Sequence, residues 1–261
     1  MLPSLEKALT QLRQLKPLVL CLTNQVTMDF MANCLLSLGA APIMTQDARE
    51  LNELMQICHA LNLNIGTLDM EFIERASTAI HLAQTYHKPI ILDPVGAGAT
   101  QIRTASSRSL LVSAHIIRGN ASEIMAIVDN VNKTLGVEST HQVSDAALSA
   151  TLLAKRHQCT VVVSGEQDFV TDGQRDDLLL FGSPLMPLVT GMGCALTAVI
   201  AAFKAVIPDP YEAARLATAY FGLCGHLAAR KTDKPGSFRT HFIDELYNAH
   251  FAEMQDVSCA T

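Results

Sequence analysis

The chain alternates short, continuous apolar runs with longer segments whose apolar residues recur every three or four positions. The runs are of strand length: Leu18 to Leu22, Pro42 to Met44, Leu61 to Ile65 (broken by Asn62 and Asn64), Pro89 to Leu92, His115 to Ile117 and the β-branched Thr160 to Val163. Between them the helical period predicts a helix over Asp29 to Leu38, stopped by Gly39, and one over Asp47 to His59 with an acidic cap. Further helices are expected over Glu71 to Tyr86, Thr104 to Val112, from about Ala121, and over Ser144 to Arg156. Phe169 to Thr171, the Asp172-Gly173 turn and Leu178 to Phe181 read as antiparallel additions at one edge. The C-terminal third, from the apolar stretch Ala195 to Val206 onward, is almost wholly helical in pattern. Strands that are apolar along their whole length belong in a sheet covered on both faces. The pattern therefore predicts an α/β fold with a mostly parallel central sheet.

Composition sharpens this picture. With 261 residues, 49% hydrophobic and only 17% charged, a large buried core is expected, and one domain spanning residues 1–261 is the most economical division. A net charge of −6 gives no electrostatic reason to expect nucleic acid or an anionic membrane as partner. The beginning of the chain lacks the basic-then-apolar layout of a secretion signal, and the apolar run Cys194 to Phe203 is about half a membrane span. Seven scattered cysteines without a C-x-x-C pair, most inside apolar runs, are expected to be reduced, packed thiols of a cytoplasmic protein.

In parallel sheets of this kind ligands bind beyond the carboxyl ends of the strands, and the polar anomalies of this chain fall there. Val189-Thr190-Gly191-Met192-Gly193-Cys194 runs straight into a predicted helix. Its two glycines permit a sharp turn with little projecting above it, and the helix start offers unpaired N–H groups and a positive dipole end to an anion. By itself this is also what an ordinary turn before a buried helix looks like. Thr23-Asn24, Asn64 to Thr67, Asp93 to Thr100 and Arg118 to Glu123 follow four other predicted strands. Each has a structural reading: Thr23-Asn24 a turn, Asp93 a loop cap, Asn120 with Glu123 a helix-capping pair. Together they form the parts of phosphoryl transfer: carboxylates Asp93 and Glu123 for a hydrated Mg²⁺, Arg118 for a phosphate, and oriented N–H donors. No Walker A motif occurs, and Gly191-Met192-Gly193 lacks the third glycine of a dinucleotide fingerprint. None of the nine histidines has metal-ligand spacing, and Met28 and Met31 read as packing residues of a helical face.

The blocks "LTNQVTMDFMANCLLSLGAAPIM" from Leu22, "NIGTL" from Asn64, "LDPVGAGAT" from Leu92, "IRGNASEI" from Ile117, "VSGEQDFVTDG" from Val163, "VTGMGC" from Val189 and "PGSF" from Pro235 span nearly the whole chain in order. With them the sequence resembles the ribokinase-like superfamily and, within it, the hydroxyethylthiazole kinases. The resemblance implies a three-layer α/β/α sandwich and transfer of phosphate from ATP, with Mg²⁺, to the primary alcohol of 4-methyl-5-(2-hydroxyethyl)thiazole in thiamine salvage. It implies that Met44 and Gly191 contact the thiazole, that Asn24 and Asn64 line the site, and that Arg118, Ser164 and Asn120 serve ATP. It further implies that Asp93 and Glu123 lie near metal and phosphates, and that Gly191, Gly193 and Cys194 are catalytic, with Cys194 where most relatives place an aspartate base. A homotrimer with sites at subunit boundaries is implied as well.

A thiol at a helix start is expected to have its pKa lowered, which would make Cys194 a positioned but weak base. Three positions depart from the family pattern: Ser164 for Thr, Met192 where Thr or Ser is commoner, and Lys234-Pro235-Gly236 for Gly-Pro-Gly. Met192 is expected to narrow the site or change a polar contact there. Rival readings are a kinase of the hydroxymethylpyrimidine half of thiamine, a dehydratase repairing hydrated nicotinamide cofactors on the same fold, and a sensor that binds without turnover.

Overall fold

The computed structural model describes residues 1–128 and 143–260. Among the described residues eight strands form one sheet: β1 (Leu18–Leu22), β2 (Ala41–Met44), β3 (Ala60–Asn64), β4 (Ile90–Asp93), β5 (Ile116–Asn120), β6 (Thr160–Ser164), β7 (Asp168–Thr171) and β8 (Asp176–Leu179). They lie in the order β2-β1-β3-β4-β5-β6-β7-β8. Pairing is parallel from β2 to β6, and β7 and β8 add as an antiparallel hairpin at the edge. The chain leaves β1 to one side for β2 and returns to its other side for β3, so the strand order reverses between β1 and β3. Open parallel sheets have their binding crevice at such a point, beyond the strand ends.

The period-two geometry of the strands divides their apolar residues between two cores. Val19, Cys21, Ile91, Ile116 and Val162 face one layer, built from α1 (Leu2–Leu15), α2 (Met28–Leu38), α8 (Met192–Lys204), α9 (Pro210–Ala229), α10 (Pro235–Asn248) and α11 (Phe251–Ala260). Leu20, Leu61, Leu63, Leu92, Ile117 and Val163 face the other, built from α3 (Leu51–Ile57), α4 (Met70–Thr85), α5 (Gln101–Leu110), α6 (Ala121–Val128) and α7 (Val143–His157). This is the three-layer α/β/α architecture. The apolar inner strands follow from it, because both of their faces are covered by helices, whereas edge strand β2 is half-buried along its length. Helix α8 lies innermost, buried at every residue from Ala195 to Phe203, as a helix apolar on all sides must be. Among the described residues no helix is long and apolar enough to cross a membrane.

Several boundaries differ from the sequence expectation for identifiable reasons. The helix expected over Asp47 to His59 is a 3₁₀ turn, Ala48–Glu50, capped by Asp47, followed by the shorter α3. Helix α5 begins three residues earlier than periodicity suggests, because the Thr100 hydroxyl caps it by accepting the Arg103 N–H. Strand β5 runs on to Asn120, so Arg118 lies within a strand, paired with Val162. Helix α8 starts at Met192, which puts Cys194 in its first turn. Helix α1 has no counterpart in the sequence expectation; its Leu5, Leu9 and Leu12 complete the first core. Cysteines 21, 34, 58, 159 and 224 are buried free thiols and Cys194 is half-buried; the side chain of Cys259 lies outside the described residues.

Candidate active site

Four neighbouring strands end on a polar residue at the same edge: Asn64 on β3, Asp93 on β4, Asn120 on β5 and Ser164 on β6. Asn64 stands opposite Asp93 in the parallel register, and Asn120 opposite Ser164. From there a polar chain runs through the crevice. Asn24, just past β1, donates through Nδ2 to Asn64 Oδ1 at 2.9 Å and to Cys194 Sγ at 3.2 Å. Asn64 Nδ2 donates to Asp93 Oδ2 at 2.8 Å, and the Thr197 hydroxyl donates to the same oxygen at 2.9 Å. Arg118 Nη1 lies 3.6 Å from Asp93 Oδ1, and Arg118 Nη2 donates to the Ser164 hydroxyl. Met44 ends edge strand β2 opposite Cys21 and packs half-buried against the first core, at the same edge of the sheet but outside this chain of contacts.

Two glycines of α8 are fixed by close approach. Gly191, the residue before the first turn, has φ +94°, and a Cβ there would come within 2.9 Å of the Thr27 methyl. A Cβ on Gly193 would overlap Arg118 Nη1 and lie 2.6 Å from Nη2. The guanidinium thus rests directly on the α8 backbone. No side chain caps this helix start, leaving first-turn N–H groups available to an anion beside the guanidinium.

The electrostatics are unbalanced. Asp93 is fully buried with an Arg118 contact on one side only: its Oδ1 has no hydrogen-bond partner, and neither has Arg118 Nε. Burial raises the Asp93 pKa, opposed by Arg118 and by the Thr197 and Asn64 hydrogen bonds. Burial and the nearby Asp93 raise Glu123 to about 7, although Arg118 and the N–H groups of Asn120 and Gly96 favour its charged form. Asp168, at the start of β7, is likewise pushed up to about 7 by burial, opposed by the Gly165 N–H and Arg118. Three carboxylates share the field of one guanidinium. Such a site is short of positive charge and suited to receive a cation.

The Asp93 donor set suits a hard ion such as Mg²⁺, since its buried Oδ1 lacks a partner. Glu123 is placed differently. Its Oε2 accepts the Asn120 N–H and its Oε1 the Gly96 N–H, both at 2.8 Å, while Asn120 Oδ1 accepts the Glu123 N–H at 2.9 Å. The capping pair read in the sequence is present, and the same carboxylate also ties down the loop after β4. Among the described residues no three His, Cys, Asp or Glu side chains converge as a metal cage. Ions that keep several waters and take phosphate oxygens have no need of one.

Two sequence expectations are corrected here. The Cys194 thiol is pushed up from its ordinary pKa of 9.0, chiefly by burial and then by the negative field of Asp93, which outweigh the helix start. Cys194 is therefore a neutral thiol at neutral pH. Met192 is buried within the first core and does not project into the crevice. Sequence reasoning also passed over Thr27, Thr197, Asp168 and Arg103. Thr197 carried a readable signal: it is the one polar residue between Ala195 and Phe203, a helical turn from Gly193, whose carbonyl its hydroxyl also reaches at 3.2 Å. Thr27 donates N–H and hydroxyl to Asn24 Oδ1 at 3.0 and 2.9 Å, a contact three residues apart whose signal is the Asn-x-x-Thr spacing.

The raised carboxylates make a stability prediction for the ligand-free protein. A carboxyl that ionises at 4.5 when free and about 7 when folded keeps its proton longer in the folded state. Between those values the folded state binds more protons than the unfolded one, so stability falls as pH rises. His59, His115, His157 and His226, whose pKa values desolvation lowers, act in the opposite direction, so the carboxyl contribution is read as a difference. From about pH 5 to about pH 8 the Tm of the wild type is expected to fall relative to that of Glu123→Gln. Thermal scans of both proteins across this range check it; a difference that is constant or grows in favour of the wild type contradicts it.

Comparison with known proteins agrees with this geometry. Residues 9–251 match the model of the hydroxyethylthiazole kinase family. A hydroxyethylthiazole kinase of Chlamydia abortus is 49% identical over 257 residues, covering 98% of each chain. The structure of a hydroxyethylthiazole kinase protein from Pyrococcus horikoshii OT3 superposes with a TM-score of 0.87 at 36% identity, over 94% of this chain and 93% of that one. A ribokinase-like superfamily protein from Enterococcus faecalis V583 shares the fold alone, with a TM-score of 0.65 at 14% identity over 91% and 87% of the two chains. This chain belongs to the hydroxyethylthiazole kinase family and has its ribokinase-like fold.

Proposed function

We propose that this kinase transfers the γ-phosphoryl group of ATP to the hydroxyethyl oxygen of 4-methyl-5-(2-hydroxyethyl)thiazole, in thiamine salvage. The observation that carries the reading is the meeting of Asp93, Arg118 and Cys194 at the uncapped start of α8. The alcohol oxygen forms the new bond to Pγ, the bond from Pγ to the bridging oxygen of ADP breaks, and the alcohol proton passes to an oxygen of the transferred phosphoryl group and from there to solvent. In a loose transition state that proton leaves late, so catalysis rests on positioning and on neutralising the equatorial oxygens. Arg118 and the N–H groups of Gly193 and Cys194 would do so, and Gly191, whose missing side chain admits the Thr27 methyl, lets the turn form. Ser164 and Asn120 flank Arg118 on the ATP side. Asn24 and Asn64 line the acceptor side, and Met44 offers it an apolar edge.

Asp93, with Glu123 behind it, would hold Mg²⁺; bound there with ATP, the ion supplies charge neutralisation of the phosphates. Asp168 adds negative charge to the same field. One domain over residues 1–261, a cytoplasmic setting and a homotrimer with sites at subunit boundaries complete the reading. The exposed Val26, Leu36 and Met70, around α2 and the start of α4, are apolar surface of the kind such a boundary covers.

Cys194, a neutral and half-buried thiol, does not take up the alcohol proton; its Sγ accepts the Asn24 Nδ2–H and helps to position the acceptor side. Cys194→Ala is expected to lower kcat by about 10-fold, the cost of a lost positioning contact. A loss as large as that from removing Mg²⁺ would contradict a role limited to positioning. The substrate assignment is tested by ADP release with ATP and Mg²⁺, comparing the thiazole alcohol, the hydroxymethylpyrimidine and no acceptor. Turnover with the thiazole alcohol alone is expected; turnover confined to the pyrimidine, or equal without acceptor, would overturn it.

A further inference from the structure

Arg103 lies on α5, outside every contact of the polar chain, yet it holds the two loops that carry that chain. Its Nη1 donates to the carbonyl oxygens of Ile65 and Val95, both at 2.9 Å, and its Nη2 to the carbonyl oxygen of Gly66 at 2.9 Å. Ile65 and Gly66 follow β3, and Val95 follows β4. One planar guanidinium thus spans two loops whose carbonyls lie beyond the ladder of the sheet. The side chain is threaded closely: a Cβ on Gly96, at φ +77°, would lie 3.0 Å from Arg103 Cδ. Its backbone is anchored too, since the Arg103 N–H is the one that the Thr100 cap accepts.

What these loops present is the site itself. The Gly66 N–H donates to Asn64 Oδ1 at 3.0 Å, and a Cβ on Gly66 would meet Asn24 Cβ at 2.7 Å, so Gly66 backs both asparagines. The Gly96 N–H donates to Glu123 Oε1, and Asp93 ends the strand that leads into this loop. We propose that Arg103 is a positioning residue of the kinase reaction: its guanidinium locks the loops after β3 and β4 together and so fixes Asn24, Asn64, Asp93 and Glu123 relative to one another. The idea rests on the phosphoryl-transfer reading for its kinetic consequence and on the hydrogen bonds alone for its structural one. Arg108, on the same helix, makes a useful contrast. It also donates to main-chain carbonyls, of Ile127 and Ala126, but at the far end of α6 and away from the crevice.

The experiment compares the full chain with Arg103→Ala, Arg103→Lys and Arg108→Ala. Steady-state kinetics, Tm, and amide exchange over residues 64–67 and 95–98 are measured for each. Arg103→Ala is expected to lower kcat about 100-fold, the cost of a small misplacement of reacting groups, with the KM for ATP little changed. Millimolar guanidinium is expected to restore part of that kcat, and amides of the two loops to exchange faster. Arg103→Lys keeps the charge but offers one nitrogen in place of two, so it should share the kcat loss; it also serves where Arg103→Ala does not fold. Arg108→Ala is expected to lower Tm while kcat and loop exchange stay as in the wild type. Unchanged exchange in folded Arg103 variants overturns the lock whatever the activity of the wild type. With an active wild type, an unchanged kcat, or a loss that Arg108→Ala reproduces and guanidinium does not relieve, overturns it as well. A wild type that phosphorylates no acceptor counts against the kinase reading alone, and the exchange comparison still decides the lock.

Discussion

Asp93→Asn is expected to lose about 1,000-fold or more in kcat while remaining folded, a cost of about 4 kcal/mol in transition-state stabilisation. The variant can keep the oxygen that Asn64 and Thr197 need, while it deletes the charge and replaces the oxygen beside Arg118 with an amide NH₂. That charge faces Arg118 with an oxygen no hydrogen bond satisfies, so its purpose lies with what binds there and not with the fold. Ionised Asp93 is costly to bury, as its raised pKa states. Asp93→Asn should therefore match or exceed the wild type in Tm at neutral pH. A paired loss of activity and gain of stability is what a strained functional charge gives. Equal losses of both would mean that Asp93 is structural.

Gly193→Ala is expected to follow, with a loss of about 100- to 1,000-fold in kcat. The added methyl cannot coexist with the Arg118 guanidinium where it now rests, 2.6 Å from Nη2. Either the arginine leaves, abandoning Ser164 and Asp93, or the first turn of α8 shifts and its N–H groups lose their aim. Alanine is otherwise a better helix residue than glycine, so the helix itself should not suffer. Kinetics with Tm measured alongside separate these effects. A folded Gly193→Ala with wild-type kcat would show that the close approach of Arg118 to α8 has no catalytic meaning.

The layers, and the sheet edge at which the candidate site gathers, were legible in the sequence because both rest on local pattern. Apolar strands buried on both faces announce themselves, and polar residues at their carboxyl ends mark the crevice. The Asn120 and Glu123 capping pair was legible for the same reason, being a contact three residues apart. What the sequence did not yield depends on distance along the chain. Thr197 reaches Asp93 across 104 positions, and Arg103 reaches Ile65 across 38. The direction of the Cys194 pKa was misread because a helix start is visible locally, whereas its burial and the field of Asp93 arrive from other elements. Met192 likewise looked like a site residue beside two glycines, and helix geometry turned it into the core.

The most direct measurement follows the phosphoryl group itself. The protein, Mg²⁺, the thiazole alcohol and ATP labelled with heavy oxygen in its γ-phosphoryl group are incubated together, and the products are weighed by mass spectrometry. The label is expected in the thiazole phosphate, with Asp93→Asn and Gly193→Ala forming that product only slowly. Label released as inorganic phosphate with the thiazole alcohol unmodified, or product formed by Asp93→Asn at the wild-type rate, would contradict it.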